Sequence, residues 1–385
     1  MNAPKKVVIA GYARSPFTPA MKGELAHITP IDLAAQTVSG LIQKSGVNPE
    51  LIEDLKLGCA FPEAEQGMNM ARLVVFQAGL PEKIAGNVVN RFCGSSMQTI
   101  HDAAGAIAFG SAECIIAAGV ESMSVIPMGG HNPVMDADLY EKMPGAYIAM
   151  GNTAENVAHK FGVTRDEQEE FALRSQFNAA AAKKDGRLTA EIVPITLKDG
   201  TVISEDSCPR ETSKEKMATL KPAFESDGTV TAATSSPLTD GASAVLICSE
   251  DFAKRHGLTI MAEIVAAAVE GCDPTIMGMG PVNASRKALA QAGITADQLD
   301  VIEVNEAFAA QAVACLKELH IEFDRVNKNG GAIALGHPLG ASGARITGSV
   351  AQQLHDGGGE YGLSTMCIGG GQGITTVLKK YSPSV

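Results

Sequence analysis

The chain has 385 residues, of which 45% are hydrophobic and 4% aromatic, and its formal net charge is −12. This length provides for two or three domains with sizeable cores. The acidic balance argues against nucleic acid or an anionic membrane as the main partner, but it leaves room for one local basic pocket that binds a phosphorylated ligand. Eight cysteines are scattered without a CxxC pair or a histidine cluster, so neither a disulfide framework nor a metal site is indicated and we expect reduced thiols.

The first residues carry an apolar run that is too short for a signal peptide, and no segment approaches the length of a membrane span. The last residues, YSPSV, are not a peroxisomal address. We therefore expect a cytoplasmic protein. Because the chain has no tryptophan and 40 glycines, its interior should be aliphatic and its turns tight, which is typical of α/β folds.

Two segments of the chain are similar to each other. Residues 46–61, GVNPELIEDLKLGCAF, align without a gap with residues 293–308, GITADQLDVIEVNEAF. Each is preceded by a predicted helix, over 33–44 and 285–292, which ends at a glycine suited to a left-handed C-cap, and each then enters an apolar strand. Two related βαβ-type halves are the economical interpretation, with chance similarity over a short window as the alternative.

Cys93 lies between a predicted buried strand over 85–90 and a predicted helix that begins near Gly94. Unpaired backbone N–H groups and the positive end of the helix dipole favour a thiolate at such a turn, so we expect a lowered pKa and a nucleophilic role. The alternative is a small buried hydrophobic residue. Further strands are predicted over 114–119 and 363–368.

The pattern of predicted helices and strands becomes less regular over residues 121–241. One helix is clear, because Thr164 and Glu167 have capping-box spacing and open an amphipathic run that extends to about Lys184. The remainder is rich in Pro, Gly, Ser, Thr and charged residues. We interpret it as a loop domain inserted into the first half and covering one face of the core.

Three short runs in the second half carry polar groups at predicted strand ends and loops. VNEAFAAQ contains Asn305 and Glu306, GGAIALGHPLGASGAR contains His337 before a proline, and STMCIGGGQG contains Cys367 before several glycines. Taken singly, these features have structural explanations: His337 could be a surface loop residue, Cys367 a core residue, and the glycines after it a turn.

Cys93 and the runs NEAF, GHPLGASGAR and CIGGGQG, in this order, resemble the thiolase family over essentially the whole chain. The resemblance implies two thiolase-fold halves stacked in five layers, α/β/α/β/α, with the active site where they meet. The first half would comprise residues 1–265, including the inserted loop domain, and the second residues 266–385. The resemblance to thiolases also implies coenzyme A thioester chemistry without a metal or a permanently bound cofactor.

The resemblance assigns roles to individual residues. Cys93, activated by His337, would attack the keto carbonyl of a 3-ketoacyl-CoA and become acylated, while Cys367 takes the proton from free coenzyme A. His337 and a water held by Asn305 would form an oxyanion hole for the enolate, and the backbone amides of Cys93 and Gly369 a second one for the acylated thiol.

Further residues are implied to meet coenzyme A. Ser236 corresponds to a serine that contacts the pantetheine arm, and four residues fall near positions that line the coenzyme A tunnel: Arg210, Met150, Phe224 and Phe308. A solvated arginine is the alternative interpretation of Arg210.

The sequence departs from biosynthetic acetoacetyl-CoA thiolases at Ala149, where those enzymes usually carry a histidine. This difference favours the degradative group that serves β-oxidation, with the biosynthetic enzyme as the alternative. A decarboxylating ketosynthase typically has a histidine or asparagine in place of Cys367, and a non-catalytic thiolase-fold protein should lack one of Cys93, His337 or Cys367. This sequence has all three, which argues against both alternatives.

We also expect a homodimer or homotetramer, with acyl-CoA thioesters as ligands. Association with other β-oxidation enzymes is an open alternative.

Overall fold

One ten-stranded sheet runs through the molecule in the computed structural model, which describes residues 5–383. A separate two-stranded ribbon is formed by β6 and β7. The strands are β1 (Val7–Arg14), β2 (Thr18–Pro19), β3 (Asp54–Gly58), β4 (Ala85–Val89), β5 (Cys114–Ser122), β6 (Ile195–Thr196), β7 (Val202–Ile203), β8 (Thr239–Ser249), β9 (Ala262–Gly271), β10 (Val301–Val304), β11 (Tyr361–Ile368) and β12 (Gln372–Lys380).

The α-helices of the described residues occupy both faces of this sheet. They are α1 (Pro30–Ser45), α2 (Met70–Gln77), α3 (Ser95–Phe109), α4 (Ala137–Lys142), α5 (Met150–Lys160), α6 (Arg165–Lys184), α7 (Arg187–Glu191), α8 (Lys214–Ala218), α9 (Glu250–Arg255), α10 (Gly280–Ala292), α11 (Ala309–Leu319), α12 (Ala332–Leu335) and α13 (Leu339–His355). None of these helices is both long and apolar enough to cross a membrane.

The sheet repeats one topology. In the first half the order is β4-β3-β5-β8-β1, with parallel pairing among β4, β3 and β5 and antiparallel pairing beyond. In the second half β10 and β11 are parallel, and β12 and β9 continue antiparallel. The halves join where Val8 and Ile9 of β1 pair with Glu263 and Ala262 of β9. The predicted boundary at residue 265 falls within β9 and stays a prediction.

The repeated segments form the same helix-turn-strand unit twice. Helix α1 ends at Gly46 with φ 70°, and α10 ends at Gly293 with φ 69°, so both glycines are the predicted left-handed C-caps. A Cβ atom at either position would meet no atom within 4 Å. The backbone conformation, and not lack of space, therefore favours glycine there. Strand β3 begins at the same distance along the chain from Gly46 as β10 does from Gly293.

Helices α3 and α13 pack against each other and contact strands of both halves, so they form a middle layer. Their buried residues, including Ile100 and Val350, share one apolar cluster with Ile9 of β1. Helices α1 and α2 cover the outer face of the first half, and α10, backed by α11, covers that of the second. This is the expected five-layer α/β/α/β/α order.

Strand β4 forms at the predicted place, but it is not buried. It is the last strand in the sheet order, and only β3 pairs with it. Ala85 and Asn87 are exposed, and the other residues of the strand are half-buried. The expectation of a buried strand was wrong because hydrophobicity does not distinguish a central strand from an edge strand.

The segment between β5 and β8 contains more regular structure than predicted. The predicted capping box is present, with Thr164 accepting from the Glu167 backbone and Glu167 accepting in return, and α6 runs to Lys184. Helices α4, α5, α7 and α8 were missed. A buried ion cluster fixes the segment to the core: the Arg14 guanidinium of β1 bonds both carboxylate oxygens of Asp206 at 2.7 and 2.8 Å and Glu191 at 2.9 Å.

Candidate active site

Cys93 lies in the turn between β4 and α3, two residues before the helix begins. The preceding residue, Phe92, has φ 43°, an uncommon conformation for a bulky residue that is found at strained functional turns. The backbone N–H groups of Gly369 and of Cys93 itself lie close enough to the sulfur to lower the pKa of the thiol. The thiol therefore faces two fixed donors, one from each half of the molecule.

Burial decides the protonation state of this thiol. It raises the pKa of Cys93 to about 11, although the two backbone N–H groups act in the opposite direction. Burial also lowers the pKa of His337 to about 3, with a further contribution from the positive charge of Arg345. The expectation of a lowered Cys93 pKa was wrong, because loss of hydration outweighs the donors at the helix terminus. Both shifts favour the neutral thiol and the neutral imidazole at neutral pH.

His337 lies between α12 and α13, two residues before α13 begins, and its side chain is fixed from both sides. Its backbone N–H donates to Thr239 Oγ1 at 3.0 Å. Its Nδ1 lies 2.5 Å from Ser342 Oγ, and its Nε2 lies 3.3 Å from Asn305 Nδ2. The ring therefore has a single orientation.

Asn305 follows β10 directly, and its backbone N–H donates to the carbonyl of Thr365 of β11 at 2.9 Å. The side chain is buried, and among the described residues its Oδ1 atom has no hydrogen-bond partner. A buried oxygen without a protein partner, beside the imidazole of His337, is suited to hold a water or a ligand donor.

Cys367 is fully buried near the end of β11. Burial raises its pKa well above the usual range, and the proximity of Cys93 and Cys315 adds to the effect. In the turn that follows, Gly370 and Gly371 have φ 78° and 81°. This left-handed pair reverses the chain into β12, so the strand end presents both the Cys367 thiol and the Gly369 amide towards Cys93.

Four of the five residues expected to bind coenzyme A form a connected group, in which Met150 is joined to the others because the next residue, Gly151, lies against the Phe224 ring. Phe224 and Phe308 pack edge to face, with ring centroids 5.8 Å apart. Ser236 donates to the carbonyl of Ala307 through its amide at 3.0 Å and through its hydroxyl at 3.1 Å. Met150 opens α5 and lies beside Gly369, where a Cβ atom would be 3.5 Å from its sulfur.

Arg210 stands apart from this group. Its backbone N–H donates to Gln176 at 2.9 Å, and its side chain is exposed. Within residues 5–383 its side chain makes no hydrogen bond, ion pair or cation–π contact, so none of these joins it to Ser236, Met150 or the two phenylalanines. Its role towards coenzyme A stays a prediction.

The sequence interpretation missed Glu121, a buried carboxylate at the end of β5. It accepts hydrogen bonds from the backbone of Ala60 at 2.8 Å and of Gly340 at 2.8 Å, and from Gln66 Nε2 at 2.8 Å. Burial raises its pKa, and these donors act against the increase. Glu121 thus links the loop after β3 to the first turn of α13, close to His337. A lone acidic residue ending the apolar strand CIIAAGVES was the available signal.

Glu306 also has a structural role in the site. Its carboxylate accepts from Ser175 Oγ at 2.6 Å, from Asn327 Nδ2 at 2.7 Å and from the Ile333 backbone at 3.1 Å. These bonds tie the residue after Asn305 to α6 and to α12. They hold the loop that leads into His337 against the end of β10.

Comparisons with known proteins agree with this geometry. The family description "Thiolase, N-terminal domain" matches residues 7–251, and "Thiolase, C-terminal domain" matches residues 258–380. Proteins named 3-ketoacyl-CoA thiolase are similar over nearly their whole length: that of Bacillus subtilis (strain 168) is 43% identical over 97% of this chain and 99% of its own, and that of Vibrio cholerae serotype O1 (strain ATCC 39315) is 46% identical over 97% and 99%.

Two solved structures have the same fold. The Bacillus anthracis acetyl-CoA acetyltransferase superposes with a TM-score of 0.91 at 38% identity, covering 99% of this chain and 100% of its own. Human mitochondrial 3-ketoacyl-CoA thiolase superposes with a TM-score of 0.91 at 37% identity, covering 98% and 99%. The fold implied by the sequence motifs is therefore confirmed, and this chain belongs to the thiolase family.

Proposed function

We propose that the protein is a 3-ketoacyl-CoA thiolase, an acyltransferase that uses coenzyme A to cleave 3-ketoacyl-CoA into acetyl-CoA and a shortened acyl-CoA. The observation that carries the proposal is the proximity of two thiols from different halves, Cys93 and Cys367, together with the contact between His337 and Asn305. The names of the full-length relatives support the same activity. The reaction is reversible, and both substrates are thioesters or thiols of coenzyme A.

The first step is attack by Cys93 on the keto carbonyl. Because the thiol and the imidazole are both neutral at rest, the thiol proton moves to His337 Nε2 as the sulfur–carbon bond forms. Breaking the carbon–carbon bond then leaves the acyl group on Cys93 and an enolate of acetyl-CoA. The Cys367 thiol gives its proton to the enolate carbon.

Charge that develops on the enolate oxygen needs hydrogen-bond donors. His337 Nε2–H, formed in the first step, and a water held by Asn305 would provide them. The carbonyl oxygen of the acyl group on Cys93 would have different donors, the backbone N–H groups of Gly369 and Cys93, which lie close to the sulfur. In the second half-reaction Cys367 recovers a proton from coenzyme A, and the resulting thiolate takes the acyl group. Cys93 then regains its proton from His337.

The pantetheine arm would pass the group formed by Ser236, Met150, Phe224 and Phe308, which leads towards Gly369. We propose no permanently bound cofactor. A homodimer or homotetramer, a cytoplasmic location and association with other β-oxidation enzymes follow from the family resemblance and stay predictions.

A biosynthetic role, condensing two acetyl-CoA molecules, is the second candidate. It is favoured by the similarity to the Bacillus anthracis acetyl-CoA acetyltransferase. Ala149, which precedes α5, favours the degradative enzyme instead. Steady-state thiolysis over a series of 3-ketoacyl-CoA chain lengths separates the two: the degradative proposal expects comparable kcat/KM beyond acetoacetyl-CoA, and activity confined to acetoacetyl-CoA would contradict it.

Two variants test the roles of the thiols. Cys93→Ala should lose thiolysis and also the exchange of labelled coenzyme A into acetyl-CoA, since no acyl-enzyme can form. Cys367→Ala should retain exchange but lose thiolysis by about a hundred- to ten-thousand-fold, the usual contribution of a positioned acid or base. Thiolysis by Cys367→Ala at nearly the wild-type rate would show that CIGGGQG contributes only backbone donors.

A further inference from the structure

Ser342, in the first turn of α13, connects the ring of His337 to the backbone. Its side chain is 1% exposed, and its Oγ lies 2.5 Å from His337 Nδ1. The same hydroxyl donates to the carbonyl of Pro338 at 3.0 Å. A serine hydroxyl has one proton and two lone pairs, so a hydroxyl that donates to Pro338 can only accept from the ring.

The opposite side of the ring agrees with this assignment. Asn305 Nδ2, a donor, lies 3.3 Å from His337 Nε2, which must then carry a lone pair. A neutral imidazole has one N–H group, and both contacts place it on Nδ1. The hydrogen bonds thus run in one direction, from Asn305 to the ring, to Ser342 and to Pro338.

We propose that Ser342 is a positioning residue that holds neutral His337 in the Nδ1–H tautomer and leaves Nε2 free to receive a proton. The consequence for the reaction rests on the proposed function. If Nε2 already carried the proton, it could not accept one from Cys93. With Nδ1–H held by Ser342, Nε2 takes the Cys93 proton as the sulfur–carbon bond forms.

The same proton then has a second use. The imidazolium donates Nδ1–H to Ser342 and Nε2–H to the enolate oxygen after the carbon–carbon bond breaks. When coenzyme A removes the acyl group, the proton returns to the Cys93 sulfur, and the ring is neutral again. Ser342 thereby allows one ring nitrogen to serve as base and then as oxyanion donor without a change of orientation.

The tautomer can be measured without any activity assay. In protein labelled with ¹⁵N-histidine, nitrogen NMR at neutral pH should show for His337 a protonated Nδ1 and an unprotonated Nε2, with the signals assigned by their loss in His337→Gln. A protonated Nε2 in the wild-type protein would overturn the proposal whether or not the protein is a thiolase. In Ser342→Ala we expect the two tautomers to become mixed.

Kinetics test the consequence. In Ser342→Ala we expect kcat for thiolysis to fall about ten- to a hundred-fold, as is usual when the partner that orients a functional histidine is removed, with KM changed much less. Ser342→Thr, which keeps a hydroxyl, should restore most of the rate. The matched control is Ser349→Ala, since Ser349 is also buried in α13 but bonds Gln353. An unchanged kcat in folded Ser342→Ala, or no rescue by Ser342→Thr, would contradict the proposal.

Discussion

Cys93 and His337 occupy equivalent positions in the two halves of the molecule. Each lies two residues before the first residue of a helix, α3 or α13. The helices touch near their N-terminal ends, because the Ala344 backbone in the second turn of α13 donates to Ser96 Oγ in the first turn of α3 at 2.8 Å. Neither half alone therefore contains both groups, and the site depends on close contact between the two helices.

Gly343 makes this contact possible, and we expect Gly343→Ala to disrupt it. A Cβ atom there would lie 2.3 Å from the backbone nitrogen of Met97, which cannot move aside as a side chain can. Overpacking of this kind costs about 1–3 kcal/mol or more, so urea unfolding should show a clear loss of stability, and thiolysis should fall. The control is Gly105→Ala in α3, where a Cβ atom meets nothing within 4 Å and the change should stabilise by about 0.5–1 kcal/mol. Equal effects of the two substitutions would contradict the argument.

The raised pKa of Cys93 predicts how the thiol reacts with iodoacetamide. With a Cys93 pKa of about 11 and a His337 pKa of about 3, the thiolate is a minor species at neutral pH. Its alkylation rate should therefore rise about tenfold per pH unit from about pH 7 to about pH 10. A thiolate–imidazolium ion pair would instead give a fast rate with a plateau near neutral pH. Peptide mapping by mass spectrometry distinguishes Cys93 from the half-buried Cys272, and Cys93→Ala serves as the blank.

Phe92 should influence acyl-chain length. Its ring lies 5.9 Å from that of Phe61 and close to Gly369, and the residue, which precedes Cys93, is 39% exposed. Phe92→Leu removes part of this wall, and we expect kcat/KM for longer 3-ketoacyl-CoA substrates to rise relative to acetoacetyl-CoA by about tenfold, the usual scale for small changes in an apolar pocket. Phe109→Leu, at the exposed end of α3, is the control. A parallel change for all chain lengths would exclude Phe92 as a specificity residue.

The ion cluster that fixes the inserted segment should be costly to break. Asp206→Ala leaves the fully buried Arg14 with only Glu191 as its carboxylate partner, and such changes typically cost about 3–5 kcal/mol. The control is Glu205→Ala, which removes the exposed pair with Lys183 and should cost about 0–1 kcal/mol. Urea unfolding of both variants measures the difference. A small loss for Asp206→Ala would mean that water replaces the missing carboxylate.

The sequence by itself determined the features that depend on local pattern. The repeated glycine C-caps at Gly46 and Gly293, the capping box of Thr164, and the strand ends that carry Cys93, Asn305 and Cys367 all follow from short-range backbone chemistry. A fixed spacing of residue types records such features directly. For this reason the duplicated fold could be predicted before any contact was known, while the roles assigned to Cys93, Asn305 and Cys367 stay predictions.

The tertiary structure decided what depends on burial and on contacts between distant segments. It reversed the expected direction of the Cys93 pKa, because the loss of hydration around the thiol comes from both halves of the molecule. It placed Glu121 between the loop after β3 and α13, and it set β4 at an edge of the sheet. It also put Ser342 against His337, which determines the ring's tautomer. Solvation and hydrogen bonding of a group are set by all the segments that surround it, and the local sequence does not record them.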